Sequence, residues 1–337
     1  MNAPRQIEFG PLDGPAVCVV GSLNADLVAY ESDTWTPGSY NIGKGFELAA
    51  GGKGLNVAMS IAATGLPTYL VGRVGNDIFG EFIKRALTSG SVRQDFVTTD
   101  PTASTGVGHV RVNAERDYNT CVVPGANDLV DERDTTAALN HGIRFSHVVM
   151  AFEIPLRTVL ETARRFRAVG SQVVVNFSPV TEGSRAVLPQ TDVLVVNEAE
   201  AAALCRQVVG SHADPPANLE ATMELLRTCD GGPRDVAVTL GDRGLCAMSR
   251  AGGVRQYQAH DVVAVSAVGA GDSFLAMLVS RVAQGEPFLD GLAAAGAAGA
   301  LACSRRASWL SRDDAPQLDQ MVRNGAPIPA LAREVAR

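Results

Sequence analysis

Short apolar runs alternate along this chain with segments of helical periodicity. The runs with the length of buried strands lie at Ala16 to Val20, Tyr69 to Val71, His147 to Ala151, Val173 to Val175, Val193 to Val196 and Val236 to Leu240. The helical segments lie at Leu55 to Thr64, Phe79 to Ser89, Leu156 to Val169, Glu198 to Cys205 and Leu219 to Thr228. This alternation is typical of βαβ units. The sequence therefore predicts an α/β fold with a central, mostly parallel sheet between helical layers.

Ligands of such sheets bind in the loops that follow the carboxyl ends of the strands. We therefore expect these loops to share one rim of the sheet. They begin at Gly21, Phe152, Asn176, Asn197, Gly241 and Gly269.

Two segments, 27–46 and 105–123, break the alternation with period-two patterns between turn residues. They predict antiparallel strands that form one small β-sheet, a lid over the rim. An edge of this lid can pair with a second subunit as a homodimer or remain solvated. The expected large domain comprises 16–26, 47–104 and 124–315, and the terminal extensions are 1–15 and 316–337.

Charge and composition exclude several classes of protein. The net charge is −7 without any basic block, which argues against binding to nucleic acid or to an anionic membrane. Met1 to Pro15 lacks the apolar core of a signal peptide, and the apolar run Leu292 to Cys303 is too short to cross a bilayer. The six cysteines are widely spaced, so we expect a cytoplasmic protein with reduced thiols.

The stretch Val265 to Phe274 is the strongest candidate for a reactive site. Val262, Val263 and Val265 predict a strand that leads into Gly269-Ala270-Gly271-Asp272, and a helix follows from Phe274. Unpaired N–H groups at a helix start bind anions, and a carboxylate beside them can take a proton from an alcohol. The alternative is that Asp272 is an ordinary N-cap.

Two further segments near the N-terminus carry polar groups. Asn24 and Asp26 alternate on an extended segment after the first strand, so both can grip neighbouring hydroxyls unless they form an Asx turn. Gly51-Gly52-Lys53-Gly54 opens a helix, with Asn56 in its first turn. It lacks the first glycine and the Ser or Thr of a P-loop. Lys53 can also be a solvated surface residue.

Three more candidates follow later strands. Asn197 and Glu200 are three apart at a helix start, where they can orient waters around Mg²⁺ or form a capping box. Thr239 to Gly244 suits either a nucleotide-binding loop or a bare turn. Glu153 adds one carboxylate to the rim.

Taken together, these motifs resemble the ribokinase (PfkB-type carbohydrate kinase) family in order and spacing, from about Val17 to Ser311. The resemblance implies a kinase that transfers the γ-phosphoryl group of ATP to a sugar hydroxyl with Mg²⁺. It implies that Asp272 is the base and that Gly269, Ala270 and Gly271 form the anion hole. The implied sugar-binding residues are Asn24, Asp26, Gly52, Lys53, Asn56 and Glu153. The implied phosphate and Mg²⁺ residues are Asn197 and Glu200, and the nucleotide residues are Thr239, Gly241 and Gly244.

The chain departs from this family where a monovalent cation is usually held. Ser266 and Ala267 replace the usual Asp-Thr pair, and Ala307 replaces a glycine. Arg305 or Arg306 can supply the missing positive charge. We therefore expect weak or absent activation by K⁺.

The expected substrate is a small-molecule sugar, a pentose, with D-ribose converted to D-ribose 5-phosphate. Asn24, Asp26 and Glu153 suit a neutral polyol. A nucleoside is an alternative if Val28, Tyr30 or His109 provides an apolar shelf for the base. Another sugar kinase of the family and a non-catalytic sugar-binding regulator also remain open.

Overall fold

The computed structural model describes residues 15–31, 42–113, 118–210, 216, 218–229, 231–250 and 253–324. Residues 1–14 and 325–337, which make up most of the expected terminal extensions, lie outside the described residues, as do 32–41 and 114–117 of the expected lid.

Strands and helices alternate along much of the described chain. The strands are β1 (Ala16–Val20), β2 (Asn24–Glu31), β3 (Gly43–Gly51), β4 (Thr68–Gly75), β5 (Arg93–Asp100), β6 (Gly106–Val112), β7 (Tyr118–Val123), β8 (Phe145–Ala151), β9 (Gln172–Asn176), β10 (Val193–Asn197), β11 (Asp235–Thr239), β12 (Leu245–Ser249) and β13 (Gly253–Tyr257). The helices are α1 (Lys53–Ala63), α2 (Ile78–Ser89), α3 (Glu132–Asn140), α4 (Leu156–Ala168), α5 (Glu198–Val209), α6 (Leu219–Thr228), α7 (Ala270–Ala283), α8 (Phe288–Cys303) and α9 (Ala315–Asn324).

The larger sheet of the described chain has nine strands in the order β13-β12-β11-β10-β9-β8-β1-β4-β5. Its neighbours from β11 to β5 pair in parallel, and β12 and β13 add an antiparallel edge. The predicted parallel α/β sheet is confirmed. Three strands were not predicted, because β5 is polar and only its Phe96 is buried, while β12 and β13 form a hairpin without an intervening helix.

Alternation along the central strands divides the core into two layers. Val17 and Val19 of β1 face α1, α7 and α8, whereas Cys18 and Val20 face the layer of α4, α5 and α6. Strands buried on both faces lose the alternation of polar and apolar residues, which explains their continuous apolar sequences. Within the described residues, no helix combines the length and apolar character needed to cross a membrane.

The smaller sheet has the strand order β3-β2-β6-β7 within the described residues. It was predicted to be antiparallel, but it is mixed, because β2 and β6 both run outward from the large sheet and pair in parallel. Its strands extend past the predicted segments, from Asn24 and to Gly51. The base of the small sheet therefore contains the side chains expected to grip the sugar.

The predicted strand through Val262, Val263 and Val265 is wrong. These residues form no ladder, and Val263 is 82% exposed. The N–H groups of Val265 and Ser266 instead donate to the carbonyl of Cys303, at the end of α8. The chain therefore reaches α7 along the end of a helix rather than from the sheet.

Candidate active site

Asp26 occupies a slot between two glycines of the neighbouring strands. A Cβ on Gly51 would stand 1.9 Å from Asp26 Oδ2, and a Cβ on Gly108 would stand 2.3 Å from Asp26 Oδ1. Any side chain at either position would overlap the carboxyl group. The glycines of β3 and β6 therefore create the space in which this carboxylate lies.

Asn24 is fixed by a residue that the sequence reasoning missed. Nδ2 of Asn127 donates to Oδ1 of Asn24 at 2.8 Å, and Oδ1 of Asn127 accepts from the N–H of Leu23 at 2.9 Å. Asn127 follows β7 in a short 3₁₀ helix that begins at Gly125. The Gly-Ala-Asn sequence looks like a simple turn, so the only available signal was an Asn directly after the predicted lid.

Glu153 lies just beyond β8 and accepts two hydrogen bonds on Oε2. One donor is the hydroxyl of Ser22, and the other is the backbone N–H of Lys53, at 3.2 Å. Ser22 was part of a predicted motif but had no assigned role. The carboxylate therefore ties the loop after β1 to the start of α1.

The start of α1 brings two predicted residues onto Asp272. Nδ2 of Asn56 donates to Asp272 Oδ2 at 2.8 Å, and Lys53 Nζ lies 4.0 Å from Asp272 Oδ1. Gly52 precedes the helix with φ of 90°, and a Cβ there would approach the backbone of Ser22 to 2.8 Å. The tight turn sets Lys53 and Asn56 against α7.

Asp272 lies in the first turn of α7 and is 5% exposed. The turn before it depends on Gly269, whose φ is 78° and whose Cβ would overlap the backbone of Ser308. The N–H of Ala270 donates to Ala267 O at 3.3 Å, so this group of the predicted anion hole has a partner. In the described chain, the N–H groups of Gly271 and Asp272 have no backbone acceptor, and Gly271 is exposed. Unpaired N–H groups at the start of a helix can hold an anion.

Four carboxyl groups and one ammonium group interact in this region. Burial, with Glu153 and Asp272, raises the pKa of Asp26 to about 7. Burial also raises the pKa of Asp272, against the opposing effects of Lys53 and Asn56. Burial alone would lower the pKa of Lys53, but the carboxylates of Asp272, Glu153 and Glu200 outweigh it and raise that pKa. The site therefore holds more negative than positive charge.

Asn197 and Glu200 form a reciprocal capping box at the start of α5. The Glu200 N–H donates to Asn197 Oδ1, and the Asn197 N–H donates to Glu200 Oε2, both at 2.8 Å. Oε1 of Glu200 takes no part in this box, and the carboxylate influences the pKa of Lys53 and Asp272. A carboxylate oxygen is the kind of ligand that a Mg²⁺ ion prefers, and such an ion often keeps several of its waters. Among the described residues, no three His, Cys, Asp or Glu side chains form a complete metal cluster.

The predicted nucleotide loop borders this capping box. Thr239 pairs in register with Asn197 across β10 and β11. A 3₁₀ turn, Gly241–Arg243, then leads to Gly244, and both glycines have positive φ. The residues predicted to bind phosphate, Mg²⁺ and nucleotide thus follow one another along the rim, from α7 to the hairpin of β11 and β12.

Ser266 and the two arginines lie in the region expected to hold a cation. Ser266 Oγ accepts from the Val268 N–H at 3.2 Å. Arg305 is bound to Asp314 and donates to the carbonyl of Trp309 at 3.0 Å, and the Arg306 guanidinium lies 5.1 Å above the Tyr30 ring. Arg305 therefore has a structural partner, and Arg306 contacts the lid.

The lid presents two different faces. Val28 and Tyr30 alternate with Leu27 and so share the face of Asp26, which is directed at the site. His109 pairs in register with Leu27 and lies on the opposite face. Val28 and Tyr30 therefore lie where the expected apolar shelf requires them. The expectation that His109 contributes to this shelf is wrong.

Comparisons with known proteins identify the family of the chain. Residues 15–314 match the model of the pfkB family of carbohydrate kinases. The chain is 30% identical to ribokinase of Schizosaccharomyces pombe, over 88% of this chain and 94% of that protein. It is 28% identical to deoxyribokinase of Salmonella typhi, over 77% and 83%. The structure of Arabidopsis thaliana ribokinase complexed with ribose and ATP matches with a TM-score of 0.79 and 26% identity, over 91% of this chain and 99% of that one.

The family match spans both sheets and every candidate residue of the rim. Within this fold, the buried carboxylate at the start of α7 stands beside unpaired N–H groups of that helix, and it influences the pKa of Asp26 at the base of the lid. This combination suits transfer of a phosphoryl group to an alcohol. The chain belongs to the pfkB family of carbohydrate kinases, and it is a ribokinase-like phosphotransferase.

Proposed function

We propose that this kinase transfers the γ-phosphoryl group of ATP to the primary hydroxyl of D-ribose, giving D-ribose 5-phosphate. The observation that carries the proposal is the Asn56–Asp272 hydrogen bond, which places a buried carboxylate beside the open N–H groups of α7. The relatives support the substrate and the nucleotide, since they include ribokinases and one structure holds ribose and ATP.

In the proposed reaction, Asp272 accepts the proton of the primary hydroxyl. That oxygen forms a bond to the γ-phosphorus while the bond to the leaving ADP breaks. The N–H groups of Gly271 and Asp272 stabilise the negative charge of the phosphoryl oxygens. Asn24, Asp26 and Glu153 hold the other sugar hydroxyls, and Lys53 offsets their charge.

Glu200 and Asn197 are the residues that would hold Mg²⁺, through waters and through the phosphates of ATP. When bound, Mg²⁺ supplies positive charge that neutralises the phosphates. Thr239, Gly241 and Gly244 face the nucleotide. Ser266 brings no negative charge to the expected cation position, so we propose a kinase that does not depend on K⁺.

The lid provides the proposed dimer contact. Phe46 and Leu48 alternate with Ala49, the register partner of Asp26, and therefore lie on the face turned away from the site. They are 68% and 37% exposed. A second lid packed on this face would cover them.

We place the protein in the cytoplasm, consistent with six cysteines that form no disulfide in the described structure.

An ADP-release assay tests the function. D-ribose, 2-deoxy-D-ribose, other pentoses, fructose phosphates and nucleosides are compared by kcat/KM. We expect the highest value for D-ribose. 2-Deoxy-D-ribose is the second candidate, since deoxyribokinases are among the relatives. Preference for a nucleoside would contradict the proposal, and turnover of none of these compounds would favour the non-catalytic sugar-binding protein.

A further inference from the structure

We propose that Asn127 is a positioning residue that sets the hydrogen-bond polarity of the sugar site: it fixes Asn24 so that this side chain meets the sugar as a donor. The inference rests on the proposed sugar kinase activity. It concerns a residue that touches Asn24 rather than the substrate.

The side chain of Asn127 has a full set of partners. It is 1% exposed, its Oδ1 accepts from the Leu23 N–H at 2.9 Å, and its Nδ2 donates to Leu23 O at 3.2 Å and to Asn24 Oδ1 at 2.8 Å. Reversing this amide would place its oxygen against the carbonyl of Leu23 and its nitrogen against the N–H of Leu23. The backbone of Leu23 therefore fixes which end of Asn127 faces Asn24.

The orientation of Asn24 follows from that of Asn127. Because Nδ2 of Asn127 can only donate, Asn24 must turn its oxygen toward it. The NH₂ group of Asn24 then points away from Asn127 and is the group available to a ligand. Two residues further along the same face, Asp26 offers a hydrogen-bond acceptor. The strand thus presents a donor followed by an acceptor to the sugar.

Gly106 leaves this pair no room to rearrange. A Cβ at this position would stand 2.3 Å from both Asn127 Nδ2 and Asn24 Oδ1. Gly106 is also the register partner of Asn24 on β6. The Asn24–Asn127 bond therefore fills the space that the glycine leaves, at the point where the lid meets the large sheet.

The variant Asn127→Asp tests the polarity directly. The new carboxylate keeps an acceptor for the Leu23 N–H but sets an oxygen against Asn24 Oδ1. When ionised, it should rotate the Asn24 amide and present an oxygen to the sugar. When protonated, it can again donate to Asn24. We expect affinity for D-ribose, measured by calorimetry, to fall at least about tenfold at pH 8 and to recover as the pH is lowered.

The affinity ratio of variant to wild type removes any pH dependence of sugar binding that both proteins share. Val130→Ala is the matched control, since Val130 is buried three residues away and its loss should lower stability without a pH-dependent change in sugar affinity. Should Asn127→Asp fail to fold, Gly106→Ala separates the same pair by a wedge and should weaken ribose binding equally.

Binding of 2-deoxy-D-ribose and 3-deoxy-D-ribose completes the test. The sugar that lacks the hydroxyl facing Asn24 should lose less affinity from Asn127→Asp than ribose does. Equal losses for all three sugars, or losses independent of pH, would overturn the inference. Failure of the proposed function gives a different result, because the wild-type protein itself would then not phosphorylate ribose.

Discussion

Nδ2 of Asn56 donates to Oδ2 of Asp272 over 2.8 Å, and this bond joins the first turns of α1 and α7. Both side chains are buried. The bond holds one oxygen of Asp272 in place, while the other lies 4.0 Å from Lys53 Nζ. A general base must first be held within reach of the proton that it accepts, and only then does its pKa decide how well it works.

Asp272→Asn should stop phosphoryl transfer while leaving the sugar site formed. The new amide oxygen can still accept from Asn56, but it cannot take a proton from the substrate. We expect kcat to fall by roughly 10²–10⁴-fold, with ribose binding still detectable by calorimetry. Turnover at the wild-type rate would exclude Asp272 as the base.

Asn56→Ala tests the hydrogen bond that holds the carboxylate of Asp272. The Asn56 hydrogen bond lowers the pKa of Asp272, so its loss should raise that pKa and move the acidic limb of the kcat profile to higher pH. We expect kcat to fall about tenfold. Thr64→Val is the matched control, since Thr64 also links α1 to α7, through Ser280. If this control shifts the profile equally, the effect comes from helix packing.

Asp26→Asn should stabilise the protein in the absence of sugar and weaken sugar binding. The folded-state pKa of about 7 exceeds the ordinary value of 3.8, so the unfolded chain releases this proton first as the pH rises. The contribution of Asp26 to stability is therefore present at low pH and declines between pH 4 and 7. At pH 8 the variant should be more stable by up to about 4 kcal/mol, measured by urea unfolding. Equal free energies of unfolding for the variant and the wild type at pH 8 would show that ionisation of Asp26 does not destabilise the folded protein.

Phe46→Glu should convert a lid-mediated dimer into a monomer. The exposed apolar face would gain a charge that cannot be buried against a second copy. Light scattering after size exclusion measures the mass, and Val263→Glu is a control at an exposed valine outside the lid. A wild-type mass of one chain, or a dimer in the Phe46 variant, would contradict the proposed contact.

The sequence could predict the parallel sheet because its strands are continuous apolar runs separated by helical periods. It could not predict that β2 and β6 run parallel, since that depends on how both strands leave the large sheet. The valines before Ser266 have high strand propensity, yet their segment bonds to the end of α8, so tertiary contacts decided the outcome.

The polar residues of the candidate site could be selected from the sequence where motifs follow strands. The residues that hold those side chains in place could not. Asn127 contacts Leu23 and Asn24 across more than one hundred residues, which no local pattern can reveal. The glycines that make room for the Asp26 carboxyl group likewise lie beside it only because three strands pair in the folded sheet.

The activity should not change when K⁺ is added to a K⁺-free assay. Ser266 is neutral and bonds to its own loop through the Val268 N–H, so it offers no charge for an ion. The guanidinium of Arg305 is paired with Asp314 and donates to the Trp309 carbonyl, so its charge is already compensated. The double variant Ser266→Asp, Ala267→Thr restores the family pattern and should gain activation by K⁺ but not by an equal concentration of Na⁺. A large rate increase of the wild-type enzyme with K⁺ would show that the backbone alone binds the ion, because carbonyl oxygens would then have to replace the missing carboxylate.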